Sequence, residues 1–246
     1  MTTRTQPSFA IGIPARNEED LVGRSMQSVL DAADVLDEPG CVRLVIACDS
    51  CSDATADIAR TIADRDSRVD VIEGAWCSAG TARAAAIQRA LGTLQATSNL
   101  SDIWVATTDG DTVVPPNWLC LHATHWAQGD DAVAGIVELL ERDADVLTAF
   151  GHHYVLGHDS HGHVHGANLG IRADAYLDVG GFPLIDLAED HALWQALRRA
   201  GFTCRSSVAL RVATSARLSG RAAGGFADTL RDVVTSAMRD RSAVTA

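Results

Sequence analysis

The chain has no run of apolar residues approaching the length of a membrane span, and its amino terminus, MTTRTQPSFAIGIP, has no apolar core preceded by basic residues. A spanning helix and a secretory leader are therefore excluded from the expected architecture, and cytoplasmic residence is expected. No Pro/Gly/Ser-rich linker divides the 246 residues, so one domain, 1–246, is expected, and 47% hydrophobic content is enough for one sizeable core. Positive charge is scarce, 20 Lys+Arg against 32 Asp+Glu for a net charge of −12. That balance excludes nucleic acid or an anionic membrane as the principal partner, although a local basic pocket can still take a phosphate. The six cysteines lack the regular spacing of a disulfide framework, so reduced thiols are expected. Cys48 and Cys51 form a CxxC, but they straddle Asp49 instead of opening a thioredoxin-like helix, which counts against a redox role.

What is present begins with Ile103 to Leu119, IWVATTDGDTVVPPNWL, an apolar strand running into two aspartates separated by Gly110. Carboxylates at the carboxyl end of a buried strand can hold a hard divalent cation that bridges the phosphates of a sugar nucleotide, though the same three residues also make ordinary turns. Upstream, SFAIGIPARNEEDLVGRSMQSVL reads as a strand ending at Pro14, then Asn17 as an N-cap with Glu18, Glu19 and Asp20 in the first turn. Val22, Met26, Val29, Leu30 and Ala33 follow at helical spacing. A second unit repeats this, with strand Val42 to Ala47, Asp49 at its end, and Ser52 as a cap for a helix carrying Ala54, Ile58 and Ile62. Strand Val69 to Ile72 and another helix come next. Glu189 and Asp190 open a helix whose apolar positions Leu193, Leu197 and Ala200 face inward, a place where ionised carboxylates are favoured. Ala132 to Leu139 and Phe202 to Val212 read as strands, giving an α/β sandwich with a mixed, mostly parallel sheet and ligands at the strands' carboxyl ends.

Five segments, in order, resemble the family 2 glycosyltransferases of GT-A fold, a Rossmann-like nucleotide-diphospho-sugar transferase sandwich: IPARNEE, DSCSDAT, GTARAAAIQRA, the DGD, and GANLGIRADAYLDVGGF leading to AEDHALWQALRRAG. The resemblance covers about Phe9 to Gly201. It implies a donor-binding half at about 8–115, an acceptor half at about 116–246, and transfer of a sugar from a nucleoside diphosphate, UDP before others, to a small or soluble acceptor hydroxyl with inversion. On the donor side it implies Pro14, Ala15, Arg16, Asn17 and Glu18, with Asp49 on the base and Arg83 beside the base or phosphates. Asp111 is implied to bind a divalent cation, Mn or Mg, while Asp109 faces the ribose or the cation's waters. Asp190 is implied as the catalytic base beside Glu189, taking the acceptor's proton. Read without the resemblance, Asp49 could equally cap a helix, Arg83 be solvated, and Glu189 and Asp190 serve the helix dipole.

Departures from the family pattern are Cys48 where an acid often precedes Asp49, Cys51 where serine is common, and no histidine beyond His191 to complete the cation's ligands. Arg217 and Arg221, ahead of an amphipathic helix carrying Phe226, Leu230, Val233 and Val234, read as diphosphate binders or as a solvated basic loop. Six of the nine histidines, His152, His153, His158, His161, His163 and His165, cluster between the DGD and the expected base. They read as an acceptor-side loop whose imidazoles bond hydroxyls, as a solvated polar loop, or as a transition-metal site. The resemblance favours the first, with His163, His165, Gly166, Ala167 and Asn168 lining the acceptor cleft. Two alternatives remain. A sugar or cofactor nucleotidyltransferase would need a glycine-rich basic loop after the first strand, where IPARNEED is acidic. A non-catalytic nucleotide-sugar binding module would have no need of Asp190.

Overall fold

The computed structural model describes residues 6–38, 41–140, 146, 150, 157, 160–185, 187–218, 227–228, 230–233 and 235–236. Among the described residues, eight strands form one sheet in the order β3-β2-β1-β4-β7-β6-β8-β5. They are β1 (Ser8–Ala15), β2 (Val42–Asp49), β3 (Val69–Gly74), β4 (Ile103–Thr107), β5 (Thr112–Val113), β6 (Ala132–Leu139), β7 (Leu169–Arg172) and β8 (Cys204–Thr214). Strands β3, β2, β1 and β4 run parallel; β7 is antiparallel to both β4 and β6, β8 is parallel to β6, and β5 is antiparallel to β8. Reversal beside β4 leaves the carboxyl ends of β1, β2 and β4 on one rim, where a crevice for a ligand is expected.

Among the described residues, the helices with bounds on both sides that cover the sheet are α1 (Val22–Asp34), α2 (Thr55–Ala63), α3 (Ala79–Leu94), α4 (Trp118–Ala127), α5 (Ala173–Asp178) and α6 (Glu189–Arg199). Every residue of β1 is buried because both of its faces are covered. Phe9, Ile11 and Ile13 pack with Val22, Met26 and Val29 of α1, Ala59 of α2 and Trp118 of α4. On the opposite face Ala10, Val45 and Val105 pack with Ala82, Ala86 and Ile87 of α3 and Leu193 and Leu197 of α6. The period-two alternation of the strands thus meets the helical stripes that the sequence carries.

The helix starts differ from expectation. Asn17 is not an N-cap: its backbone is left-handed at φ 54°, and α1 begins at Val22 with no acidic residue in its first turn. Its Oδ1 accepts from Ser52 N at 2.8 Å, so the β1–α1 and β2–α2 turns are tied to each other. Glu19 Oε2 accepts from Ala54 N at 3.0 Å and Asp53 Oδ1 from Thr55 N at 3.0 Å, which satisfies the start of α2 in place of Ser52. Ala200 lies outside α6 and is exposed, leaving Leu193 and Leu197 as its buried positions. Leu230 and Val233 pack with Ala216 and Leu139, whereas Phe226 and Val234 lie outside the described residues. Among the described residues no helix is long and apolar enough to cross a membrane.

Candidate active site

The DGD turn is drawn against the end of β1. Gly110 N donates to Pro14 O at 3.2 Å, and a Cβ on Gly110 would stand 3.0 Å from Ala15 Cβ, so the missing side chain serves this close approach. Ser25 Oγ on α1 fixes the Asp109 carbonyl at 2.8 Å. Asp111 is buried, and its carboxyl is pushed up to about 6, by desolvation first; Asp109 and Glu18 add to the shift, while Arg217 and Thr214 oppose it. Thr214 Oγ1 lies 3.3 Å from Asp111 Oδ1, and Arg217 Nη2 lies 3.0 Å from Oδ2. Arg217 forks onto buried Glu18, Nη1 to Oε2 at 2.5 Å and Nη2 to Oε1 at 2.6 Å. Although desolvation works against its charge, those carboxylates hold the Arg217 guanidinium more firmly protonated than usual.

Arg83 does not face an open donor surface. Its side chain is 4% exposed, with Nη2 2.8 Å from Asp109 Oδ1 and Nη1 2.5 Å from Glu189 Oε1. Desolvation is outweighed there by the two carboxylates, which hold Arg83 charged. Glu189 is turned inward, while the next residue, Asp190, is partly exposed and accepts from Gly166 N through Oδ2 at 2.8 Å. Its Oδ1 accepts from His191 N at 2.7 Å. His165 stands beside this group; burial holds its imidazole neutral and lowers its pKa to about 4, with Asp190 opposing the shift. His161, His163 and His165 stack along one extended segment, with ring centroids 5.9 and 6.0 Å apart.

Ala167 and Asn168 lie deeper than a cleft floor. Asn168 is fully buried: Nδ2 donates to Ile136 O at 2.9 Å and Leu210 O at 3.0 Å, and Oδ1 accepts from Trp118 Nε1 at 3.0 Å. Its amide joins β6, β8 and α4, because one planar group can satisfy two strand carbonyls and an indole N–H. At the other end of the rim, Asp49 is buried, with Oδ1 accepting from Trp76 N at 2.8 Å and Cys77 N at 3.0 Å. These two backbone donors, which sequence reasoning passed over, hold the carboxylate at the end of β2. Their trace in the sequence is no more than Glu73 and Gly74, which end the apolar run of the third strand just before Trp76. Arg16 is exposed. Burial pushes the Cys48 thiol up to about 12 and raises that of Cys51, so neither has the thiolate character of a redox pair. Arg221, His152, His153 and His158 lie outside the described residues.

Among the described residues no three His, Cys, Asp or Glu side chains gather as a metal cage. Asp109 and Asp111 nonetheless supply hard oxygens, and the guanidinium resting on Asp111 and Glu18 shows that a cation is accommodated at this spot. One or two carboxylates completed by phosphate and water is the donor set a Mg- or Mn-like ion uses with a diphosphate.

Against known proteins, glycosyl transferase family 2 matches residues 10–149, and glycosyl transferase family group 2 matches residues 104–234. No curated protein matches. Among solved structures, TarS 1–349 of S. aureus is 15% identical with a TM-score of 0.58, over 82% of this chain and 57% of that one. The chain therefore spans little more than half of TarS 1–349, and 37% of the longer TarS chain that it also matches. The mannosyltransferase PcManGT from Pyrobaculum calidifontis, in complex with GDP-Man and Mn2+, is 16% identical with a TM-score of 0.61, over 97% of this chain and 76% of that one. GalNAc-T7 with UDP, GalNAc and Mn2+ is 12% identical with a TM-score of 0.63, over 87% of this chain and 44% of that one. At these identities the likeness establishes the GT-A fold.

Proposed function

The chain belongs to glycosyl transferase family 2, and we propose that it transfers a sugar from a nucleoside diphosphate to the hydroxyl of a small or soluble acceptor, with inversion and with Asp190 as base. The observation that carries this reading is the shared partner of the two motifs: Asp109 of the DGD and Glu189, the neighbour of Asp190, meet the same buried Arg83. Asp109 and Asp190 thereby lie on one rim, the arrangement that a donor-side carboxylate and a base would need.

In this reading the remaining oxygen of Asp49 accepts the ring N–H of a uracil, and UDP is the first donor to try; TarS 1–349 has itself been solved with UDP. Asp111, with Asp109, would hold a divalent cation, Mn or Mg, whose charge offsets that growing on the leaving diphosphate. Arg217 is the candidate cation of this chain for the same phosphates. Gly166 N–H fixes Oδ2 of Asp190, so the carboxylate is oriented before the acceptor arrives. The acceptor oxygen bonds to the anomeric carbon, the bond from that carbon to the diphosphate breaks, and the hydroxyl proton passes to Asp190. A nucleotidyltransferase fits less well, because the turn after β1 has its backbone donors engaged: Glu18 N bonds Thr55 Oγ1 at 2.7 Å and Glu19 N bonds Asp53 Oδ2 at 3.2 Å.

Thermal shift with UDP, GDP, dTDP and CDP, each with and without Mn, tests the donor half, since a ligand of the folded state raises the melting temperature. One diphosphate should give a cation-dependent shift. Asp190→Asn should lower transfer by roughly 100-fold or more with diphosphate affinity intact, and Asp111→Ala should abolish the cation-dependent shift. Equal loss of diphosphate binding in both variants would overturn this division of roles.

A further inference from the structure

We propose that Arg83 is a positioning residue that clamps the start of α6 to the DGD turn, and so holds Asp190 in register with the donor. The inference rests on the reading of Asp190 as base, and it gives Arg83 a task other than contact with nucleotide.

The first turn of α6 has few means of its own to stay in place. Ala188, which precedes it, is left-handed at φ 60° and makes no side-chain cap, and Leu184, Ile185 and Leu187 just before it are exposed. Among the described residues, two polar contacts hold that turn from outside the helix, Arg83 on Glu189 and Gly166 N–H on Asp190. The guanidinium is seated between them. A Cβ on Gly166 would stand 2.7 Å from Arg83 Cζ, and a Cβ on Gly80 would stand 2.5 Å from Glu189 Cγ. Glycine at both positions leaves the volume that the Arg83–Glu189 pair fills. Phe182 covers the guanidinium, with its ring centroid 5.3 Å from Cζ. Thr107 Oγ1, at the end of β4, donates to Gly166 O at 2.6 Å, so the peptide that orients Asp190 is itself tied to the strand leading into the DGD.

The shape of arginine matters here. Its planar fork reaches Asp109 and Glu189 with separate nitrogens, which a lysine ammonium on a flexible stem reproduces only in part. Both terminal nitrogens are engaged, and Nε has no partner among the described residues. With 4% of the side chain exposed, the guanidinium is given over to Asp109 and Glu189 instead of to open solvent. The clamp joins an element of the donor side to one of the acceptor side, so its loss should degrade the chemical step more than donor binding.

The test compares Arg83→Lys and Glu189→Gln with wild type. Arg83→Lys retains charge at a site where a neutral residue would strand two carboxylates, and Glu189→Gln leaves Arg83 its bond to Asp109 should the lysine variant fold poorly. Amide hydrogen exchange, which needs no donor, should rise about tenfold or more in segments 164–168 and 188–193 of both variants, with α1 to α3 unchanged. Steady-state kinetics should show kcat lowered by roughly 10- to 100-fold with the donor KM within about twofold, the pattern of a displaced catalytic group. Combining the two substitutions should cost little more than either alone. Unchanged exchange at the start of α6, or a donor KM that rises as kcat holds, would overturn the clamp. Absence of transfer in wild type would overturn the base assignment instead, while the exchange measurement still decides whether Arg83 restrains α6.

Discussion

A guanidinium forked across a buried carboxylate leaves that carboxylate little capacity for a second cation. Arg217 does this to Glu18 and reaches Asp111 as well, so a divalent ion at Asp111 must draw Arg217 away or share the oxygens with it. Arg217→Gln should therefore tighten Mn binding in the absence of nucleotide by roughly tenfold, about 1.4 kcal/mol, as read by titration of free Mn by electron paramagnetic resonance. Mn affinity equal to that of wild type would show that the guanidinium does not compete. All 20 cationic side chains of this chain are arginine, so forked pairing is available wherever two acids converge. The sequence marked Glu18, Asp109, Asp111, Glu189 and Asp190 as chemistry-bearing through their motifs. It did not reveal that Arg83 turns inward or that Arg217 crosses 199 residues to Glu18, because nothing in local spacing encodes which carboxylate a long, flexible cation meets.

Elements were legible where one face is buried and least so where turns exchange hydrogen bonds. The stripe Val22, Met26, Val29, Leu30 and Ala33 reads directly as the buried face of α1, and β6 spans the same Ala132–Leu139 that its apolar run suggests. Helix starts depart from the capping pattern because Asn17 and Glu19 serve the neighbouring β2–α2 turn, whereas that pattern has a polar side chain serve its own helix. Asn168 shows the same limit within the GANLG segment, where a motif that points to the cleft supplies a core amide. Asn168→Ala leaves the Trp118 indole and the carbonyls of Ile136 and Leu210 without their partner. A loss of about 3 kcal/mol is expected from groups of this kind, lowering Tm by roughly 6–12 °C in a protein of this size. Calorimetry checks it, and a variant melting within about 2 °C of wild type would mean that water replaces the amide.

At the scale of the whole molecule, the groups whose protonation differs between folded and unfolded states set the response to acid. His122, fully buried between Trp104 and Trp118, accepts from Trp104 Nε1 at 3.1 Å, and burial lowers its pKa to about 3. His165 is lowered to about 4, and His161 is lowered in the same direction, again by burial. A histidine with a depressed folded pKa contributes stability that is present above its unfolded value of about 6.5 and is lost as pH falls toward the folded value. Asp111 acts oppositely: raised to about 6, it takes up a proton in the folded state before the unfolded chain does. Between pH 6 and pH 4 the unfolded chain thus holds protons at His122 and His165 that the folded chain lacks, while the folded chain holds one at Asp111 that the unfolded chain lacks. The net difference is about one proton, so stability should fall by about 1.4 kcal/mol for each unit of pH. His122→Gln removes one of these protons, and the slope of unfolding free energy against pH over that interval should flatten by about that amount, even though the variant starts less stable at neutral pH. Urea unfolding at pH 6, 5 and 4 measures both slopes. Parallel lines would mean that His122 is already protonated in the fold and that the buried Trp104–His122 pair does not set the acid limit.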